Sequence, residues 1–464
     1  MKKRTAAITA CAAITACAAL AVSLVSTGAA ASAGHTAASG DHTAAGADQT
    51  AAAGGSISLA SATSGGGLGN DRSEDVWQSI SANGRYVVIN SRDTNMVPGV
   101  TDHRAHLYVR DLKTGTTTLV DVSGSGAVGN GDSFGGTISA NGRYVAFTSA
   151  ATNLVPRDTS KVFDVFVRDL VAKKTYRIST AWNGKNGNAM SFRAEISGNG
   201  QEVAFTSLAT NLLPGITTRG SIVYVYDMAT GKLQDASVSS GGVQANSDSQ
   251  APTISDNGRY VGFSSRATDL AAGATDGRWN VYVRDLVLKV TTVVSAGVSN
   301  VHSSAELPIT AQGSLGSTLS PDGRYIAFGA WIQEPTGPDL GLFLHDMVTG
   351  KTTRVDVSSS GESANGITFF LCSISSGGRY VVFSSEAANL VSARTNGTWN
   401  IYIRDLKLGT TRLISVGAGG AVSNGESAYP AISADGSTVV FMSAASNLVK
   451  GGTGDQINVF RWNQ

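Results

Sequence analysis

The sequence predicts an all-β protein: a seven-bladed β-propeller of four-stranded blades, with the last blade closed by an N-terminal strand. Three observations predict it. A phrase of the form Ile-Ser-x-Asn-Gly-Arg-Tyr-Val occurs seven times, and each copy lies in a stretch that carries four strand signals. The final stretch stops after three strands, and an orphan strand precedes the first copy.

The chain opens with Lys2, Lys3 and Arg4, followed by a run of small and apolar residues from Thr5 to Val25 and then Ala31-Ser32-Ala33. A positive start, an apolar stretch and a small-residue site make residues 1–33 a secretory signal peptide. A retained anchor is the competing reading, because the run approaches the length of a membrane-spanning helix. Lipidation at Cys11 or Cys17 is a second competitor, but the apolar run continues past both, whereas a lipoprotein box closes it. Cleavage would leave Cys372 as the only cysteine, so the folded part has no intrachain disulfide and depends on its core. The protein is expected to be exported, extracellular or wall-associated, with no membrane span in its mature form.

Residues 34–54 are almost wholly Ala, Gly, Thr, Ser, Asp and His, with no apolar period to bury, and read as a disordered linker. His35 and His42 fall in it and are read as solvated.

The seven phrases start at Ile80, Ile138, Ile196, Ile254, Leu319, Ile374 and Ile432, so the repeat is about 58 residues with a longer fourth interval. A period of that size means a solenoid or a propeller. In each copy a short strand ends at Ile-Ser and an Asn-Gly, Asp-Gly or Gly-Gly pair turns the chain. A second strand such as Tyr144–Ser149 follows. A long loop leads to a third strand, Val165–Asp169 in the second repeat, and a tight turn leads to a fourth, Thr117–Val122 in the first. Four antiparallel strands per repeat make a propeller blade. The last repeat ends on its third strand, and Ser56–Ala60 supplies the missing fourth, so the ring spans residues 55–464.

Leu319-Ser-Pro-Asp-Gly-Arg-Tyr-Ile-Ala-Phe328 resembles the PD40 (WD40-like) repeat of secreted bacterial TolB-like propellers. The resemblance covers about residues 56–464. It implies architecture, and no single function, because the repeat serves transport accessories, peptidases and lyases alike. Two departures stand out: TolB-type rings have six blades and an extra N-terminal domain, and this chain has seven blades and a linker.

In such a blade the two tight turns emerge on one face, and the long loops and blade-to-blade links on the other. Binding residues belong on that long-loop face. Trp77, Phe134, Phe192, Phe370 and Tyr429 lie just ahead of the Ile-Ser pairs and are candidates to ring the channel mouth, with packing between blades as the alternative. An Asn followed three residues on by a hydroxyl recurs in the same links, from Asn70/Ser73 and Asn130/Ser133 to Asn424/Ser427; local turn bonding explains it more simply than a ligand. Trp279 and Trp399 are also read as structural. The fifth repeat breaks the pattern: its link is longer and holds His302 and Glu306, its long loop becomes Trp331-Ile-Gln-Glu-Pro335, and His345 replaces an Arg. Trp331 and Glu334 join the binding candidates.

At +1 net charge and 15% charged residues, the chain lacks the basic footprint of a nucleic-acid binder. No Gly-x-Ser-x-Gly nucleophile elbow is read, and no residues remain for a hydrolase domain. Fragments of a calcium-type loop survive in Asp158, Asp164 and Asn396-Gly397, too few oxygen ligands for an obligatory ion; no metal or other cofactor is expected. The favoured reading is a monomeric, non-catalytic propeller that binds polysaccharide or a cell-surface protein. The enzyme alternative is a polysaccharide lyase or hydrolase, for which His302, His345, Arg104, His106 and Glu306 are the residues that could serve as base and charge neutraliser.

Overall fold

The structure is a computed structural model and describes residues 55–73, 79–160, 162–218, 220–274, 277–295, 317–334, 337–395, 397–417, 419–454 and 456–464, with the backbone alone for 331–334 and 337–339. Residues 1–54, read above as signal peptide and linker, and Trp77, His302 and Glu306 lie outside these residues. The strands form seven four-stranded antiparallel sheets, the seven blades. The second blade is typical: Ser133–Ile138, Tyr144–Ser149, Asp164–Asp169 and Lys174–Arg177 run from the axis outward.

Turn chemistry sets the first hairpin. The Ser139 hydroxyl donates to Asn141 Oδ1 at 2.8 Å and accepts the Tyr144 N–H at 3.0 Å. Gly142 adopts φ 74°, and a Cβ there would lie 2.2 Å from the Tyr86 ring of the preceding blade. The Asn-Gly pair is therefore needed twice, for a left-handed turn and for the close packing of blade on blade. Gly200 under Tyr144, Gly323 under Tyr260 and Gly436 under Tyr380 repeat the arrangement.

Aromatic pairs fill the blades. The second-strand Phe stacks or tilts on the third-strand ring in six of them, from Phe147–Phe166 at 5.7 Å to Phe441–Phe460 at 6.0 Å. Such pairs add roughly 0.5–1.5 kcal/mol each beyond burial. The predicted Thr117–Val122 strand is corrected to Thr116–Leu119. Its end is set by Asp121, whose carboxylate, in place of a strand carbonyl, accepts the Leu107 N–H.

The ring closes as the sequence predicts. Ser56–Leu59 pairs with Asn463–Phe460 as the outer strand of blade seven, and Trp462 is buried behind it. Ser61 donates to Asn458 Oδ1, the same staple that Ser295 makes with Asn280 and Ser415 with Asn400 inside single blades. The chain ends thus rebuild an ordinary blade.

Around the axis, neighbouring inner strands are tied by side-chain oxygens. The hydroxyls of Ser79, Thr137, Thr253 and Ser373 accept the N–H of Ile138, Ile196, Leu319 and Ile432 in the next blade. Glu195 occupies this position in blade three. Burial pushes its carboxyl up to about 8, against the weaker pull of Arg193.

Blade five departs from the sequence expectation. Trp331–Glu334 is no loop: Tyr325–Glu334 and Gly337–Asp346 are ten-residue strands, paired up to Glu334↔Gly337. The other blades tie link to loop with an Asn-to-Asn or Asn-to-Asp staple, and the sequence of blade five has none, so its backbone groups continue the ladder instead. Among the described residues no helix is long and apolar enough to cross a membrane.

Candidate functional site

The tight-turn face is occupied by its own side chains. Arg143 pairs with Asp169 at 2.7 Å and lies over the Tyr144 ring, and Arg85–Asp111, Arg259–Asp285, Arg324–Asp346 and Arg379–Asp405 repeat the pattern.

On the long-loop face the recurrent Asn residues are also structural. Asn130 accepts the Thr152 N–H and donates to Thr152 Oγ1, while Asn153 accepts the Asn130 N–H. Asn70 with Thr94 and Asn95, Asn188 with Thr210 and Asn211, and Asn424 with Ser446 and Asn447 form the same reciprocal lock between link and loop. The lock holds each link rigidly, and the side chains carried just beyond it vary from seam to seam.

The charges at two of the seams differ in sign pattern. Between blades one and two, Arg92 faces Asp132 at 3.8 Å. Beneath them His106 is wholly buried, with Nδ1 2.8 Å from Asp121 and Nε2 2.9 Å from Asp102, and Arg104 lies 3.1 Å from Asp102. Burial alone would lower the imidazole pKa, but Asp121 and then Asp102 outweigh it, and the pKa is raised. With a carboxylate on each ring nitrogen, His106 is clamped in place and is a poor base for catalysis.

Between blades six and seven the positions of Arg92 and Asp132 are taken by Glu386 and Glu426. The backbone match is direct: Arg92 N–H donates to the Arg72 carbonyl, Glu386 N–H to Ile367, and Ala444 N–H to Glu426. Burial first, and then Glu386, push the Glu426 carboxyl up, and its Oε2 is buried without a hydrogen-bond partner. Beside the pair stands an aromatic group. Phe369 stacks on Phe370 at 5.5 Å and meets Trp399 and Tyr429 edge-on, each at 5.7 Å. Phe369 and Trp399 are half-buried, and Ile367 next to them is 53% exposed. The Trp399 carbonyl accepts the N–H of Ser427, the residue after Glu426, which fixes ring and carboxylate together.

The structure separates the four predicted aromatics that lie in the described residues. Phe134 and Phe192 are half-buried on their inner strands, opposite Thr148 and Thr206. Phe370 and Tyr429 are buried one step further along. Blade six has an extra residue in its inner-strand bulge, so Phe369, which the sequence reading passed over, takes the place of Phe134 and Phe192 opposite Ser384. Tyr429 sits at the bulge position of Gly135, with φ 55°. The structural reading of Trp279 fits its burial; Trp399 instead opens to solvent.

Of the lyase candidates among the described residues, Arg104 and His106 meet at Asp102, and His345 stands apart from them. His106 starts its strand on the long-loop face of blade one, opposite Ser91, whereas His345 lies near the turn face of blade five, opposite Ile326, with Nδ1 2.9 Å from Thr352 Oγ1. Burial lowers the His345 pKa. Backbone pairing puts Trp331 opposite Leu340 and Glu334 at the far end of the blade-five hairpin, five and more strand residues from His345, or roughly 17 Å.

One sequence reading is corrected outright. Gly131-Asp-Ser-Phe-Gly135 has the letters of a nucleophile elbow. Ser133 is nevertheless fully buried at the start of a strand, and its hydroxyl donates to the Asp121 carboxylate at 2.9 Å rather than to a histidine. In the calcium-like fragment, the Arg177 guanidinium lies 2.7 Å from Asp158 and 3.9 Å from Asp164, between the carboxylates. Among the described residues no group of three metal-ligating side chains comes together.

No family model and no curated protein matches the chain. Solved structures that are similar include TolB from Acinetobacter baumannii (15% identity, TM-score 0.41, over 76% of this chain and 67% of that one). Oligogalacturonate lyase from Vibrio parahaemolyticus is similar at 12% identity and TM-score 0.49, over 85% and 90%. The β-propeller domain of the Trilobed protease from Pyrococcus furiosus gives 12% and 0.49, over 83% and 91%. All are propellers, and the fold of this chain rests on its own strand order.

Proposed function

We propose that this protein is an exported, non-catalytic binding propeller that recognises polysaccharide through its long-loop face. The observation that carries this reading is the aromatic patch of blades six and seven. Half-buried Phe369 and Trp399 present ring surface on a rigid, locked link, with carboxylates alongside to take hydroxyl hydrogens. Sugar rings offer apolar C–H faces and polar edges, which such a surface complements. A cell-surface protein is the competing partner.

The test is retention of the protein on a panel of neutral and acidic polysaccharides, with unsaturated product scored in the same tubes. Retention without product, weakened about 30-fold in Trp399→Ala as for a central aromatic anchor, supports the reading. Product release makes the protein a lyase and overturns it. Retention that survives loss of both Trp399 and Phe369 moves the site elsewhere on the ring.

A further inference from the structure

We propose that the group recognised at the blade six–seven patch is a cationic amine carried by a glycan, that is, a deacetylated amino sugar. This rests on the glycan reading above and narrows it.

The reason is an imbalance of charge at one structural position. At the seam of blades one and two a basic and an acidic side chain face each other and neutralise one another. At the equivalent seam of blades six and seven both side chains are glutamates, and among the described residues neither has an ion-pair partner. Like charges at one seam destabilise each other unless a cation sits between them. One Glu426 oxygen is buried without a hydrogen-bond partner. An unmade bond of that kind points to a donor that the chain itself does not supply.

The neighbouring rings point to the same chemistry. In blade four, Arg266 lies over Trp279 with 6.0 Å between guanidinium and ring, so the scaffold there provides its own cation. In blade six the residue equivalent to Arg266 is Glu386, and Trp399, the counterpart of Trp279, is left without it. An incoming ammonium would take the place of the guanidinium, hydrogen-bond both carboxylates and lie against an aromatic face. The N-acetylated form of the same sugar carries no charge and would leave the imbalance as it is.

The test compares glucosamine oligomers with N-acetylglucosamine oligomers of equal length, by calorimetry on the full chain, at a mildly acidic pH that keeps the amine charged. The wild type is expected to bind the amine form at least about ten-fold more tightly, the scale of one charge-assisted hydrogen bond. Raising salt should shrink that preference. In the Glu386→Gln/Glu426→Gln double variant it should fall to near unity, and thermal melting should show that this variant is folded. Arg92→Gln, at the other seam, should leave both affinities as they are.

Equal or tighter binding of the acetylated oligomer, lost in Trp399→Ala, overturns the amine assignment and leaves the glycan reading standing. Binding of neither oligomer nor any other polysaccharide overturns both. A lysine-rich peptide that binds as tightly as the amine oligomer, and loses affinity in the double variant, assigns the site to a protein partner and overturns the sugar.

Discussion

The seam of blades one and two and the seam of blades six and seven are built on the same backbone and handle charge in opposite ways. In the first, Arg92–Asp132 and the buried chain Arg104–Asp102–His106–Asp121 settle every charge within the protein. In the second, Glu386 and Glu426 hold the two equivalent positions, beside Phe369 and Trp399. A repeat fold makes this comparison direct, because the position is the same and only the side chains differ. Where the charges are settled internally the seam is scaffold, and where they are not, it is the candidate site.

The largest effect is expected on the settled side. Asp121→Ala removes one partner from a wholly buried ion pair and should lower stability by about 3–5 kcal/mol, whereas Glu426→Ala should change it little or raise it. Denaturant midpoints for the two variants measure the contrast, and equal losses would erase it.

An unpaired carboxyl at the axis extends the same logic. Glu195→Thr restores the hydroxyl found in blades two and four and should stabilise the ring by about 1–3 kcal/mol at neutral pH. Glu195 has a folded pKa of about 8, raised by burial above its ordinary 4.5. The native state therefore holds a proton that the unfolded state gives up, and wild-type stability falls as pH rises between these values. The gain from the substitution should grow over that window, and a pH-independent gain would refute the cause.

The clamp on His106 runs on its own pH scale. Its pKa is raised in the fold, so its contribution is fully present below the unfolded value of about 6.5 and is lost as pH rises through the higher folded one. His106→Asn with Asp121→Ser installs the Asn–Ser staple of blades four, six and seven. The double variant should lose this part of the pH dependence, an effect of about 1 kcal/mol in melts above and below neutrality.

The smallest effect on stability comes from turning one seam into the other. Glu386→Arg places a cation opposite Glu426 and should add only about 0.2–1 kcal/mol, as a partly exposed pair does. Its larger consequence is on binding: retention of an amine-bearing glycan should fall sharply. Undiminished retention would separate the site from the seam.

The sequence carried the ring, the blade count and the closing strand, because each is a repeated local pattern: alternation, an Asn-Gly turn, and a missing fourth strand matched by Ser56–Leu59 at the other end. It also pointed to the long-loop face. It placed Phe370 with Phe134 and Phe192, because spacing from Ile-Ser cannot register the extra bulge residue of blade six, and it added Tyr429, which lies one residue closer to its Ile-Ser pair at the bulge itself. The nature of Trp331–Glu334 was equally out of reach, since a strand extension and a loop can share the same letters until a partner strand continues to pair. What only the tertiary structure decided is which charges meet. Glu386 and Glu426 are 40 residues apart, and so is the pair Arg92 and Asp132. Whether such residues neutralise or repel depends on a seam that exists only once two blades pack side by side.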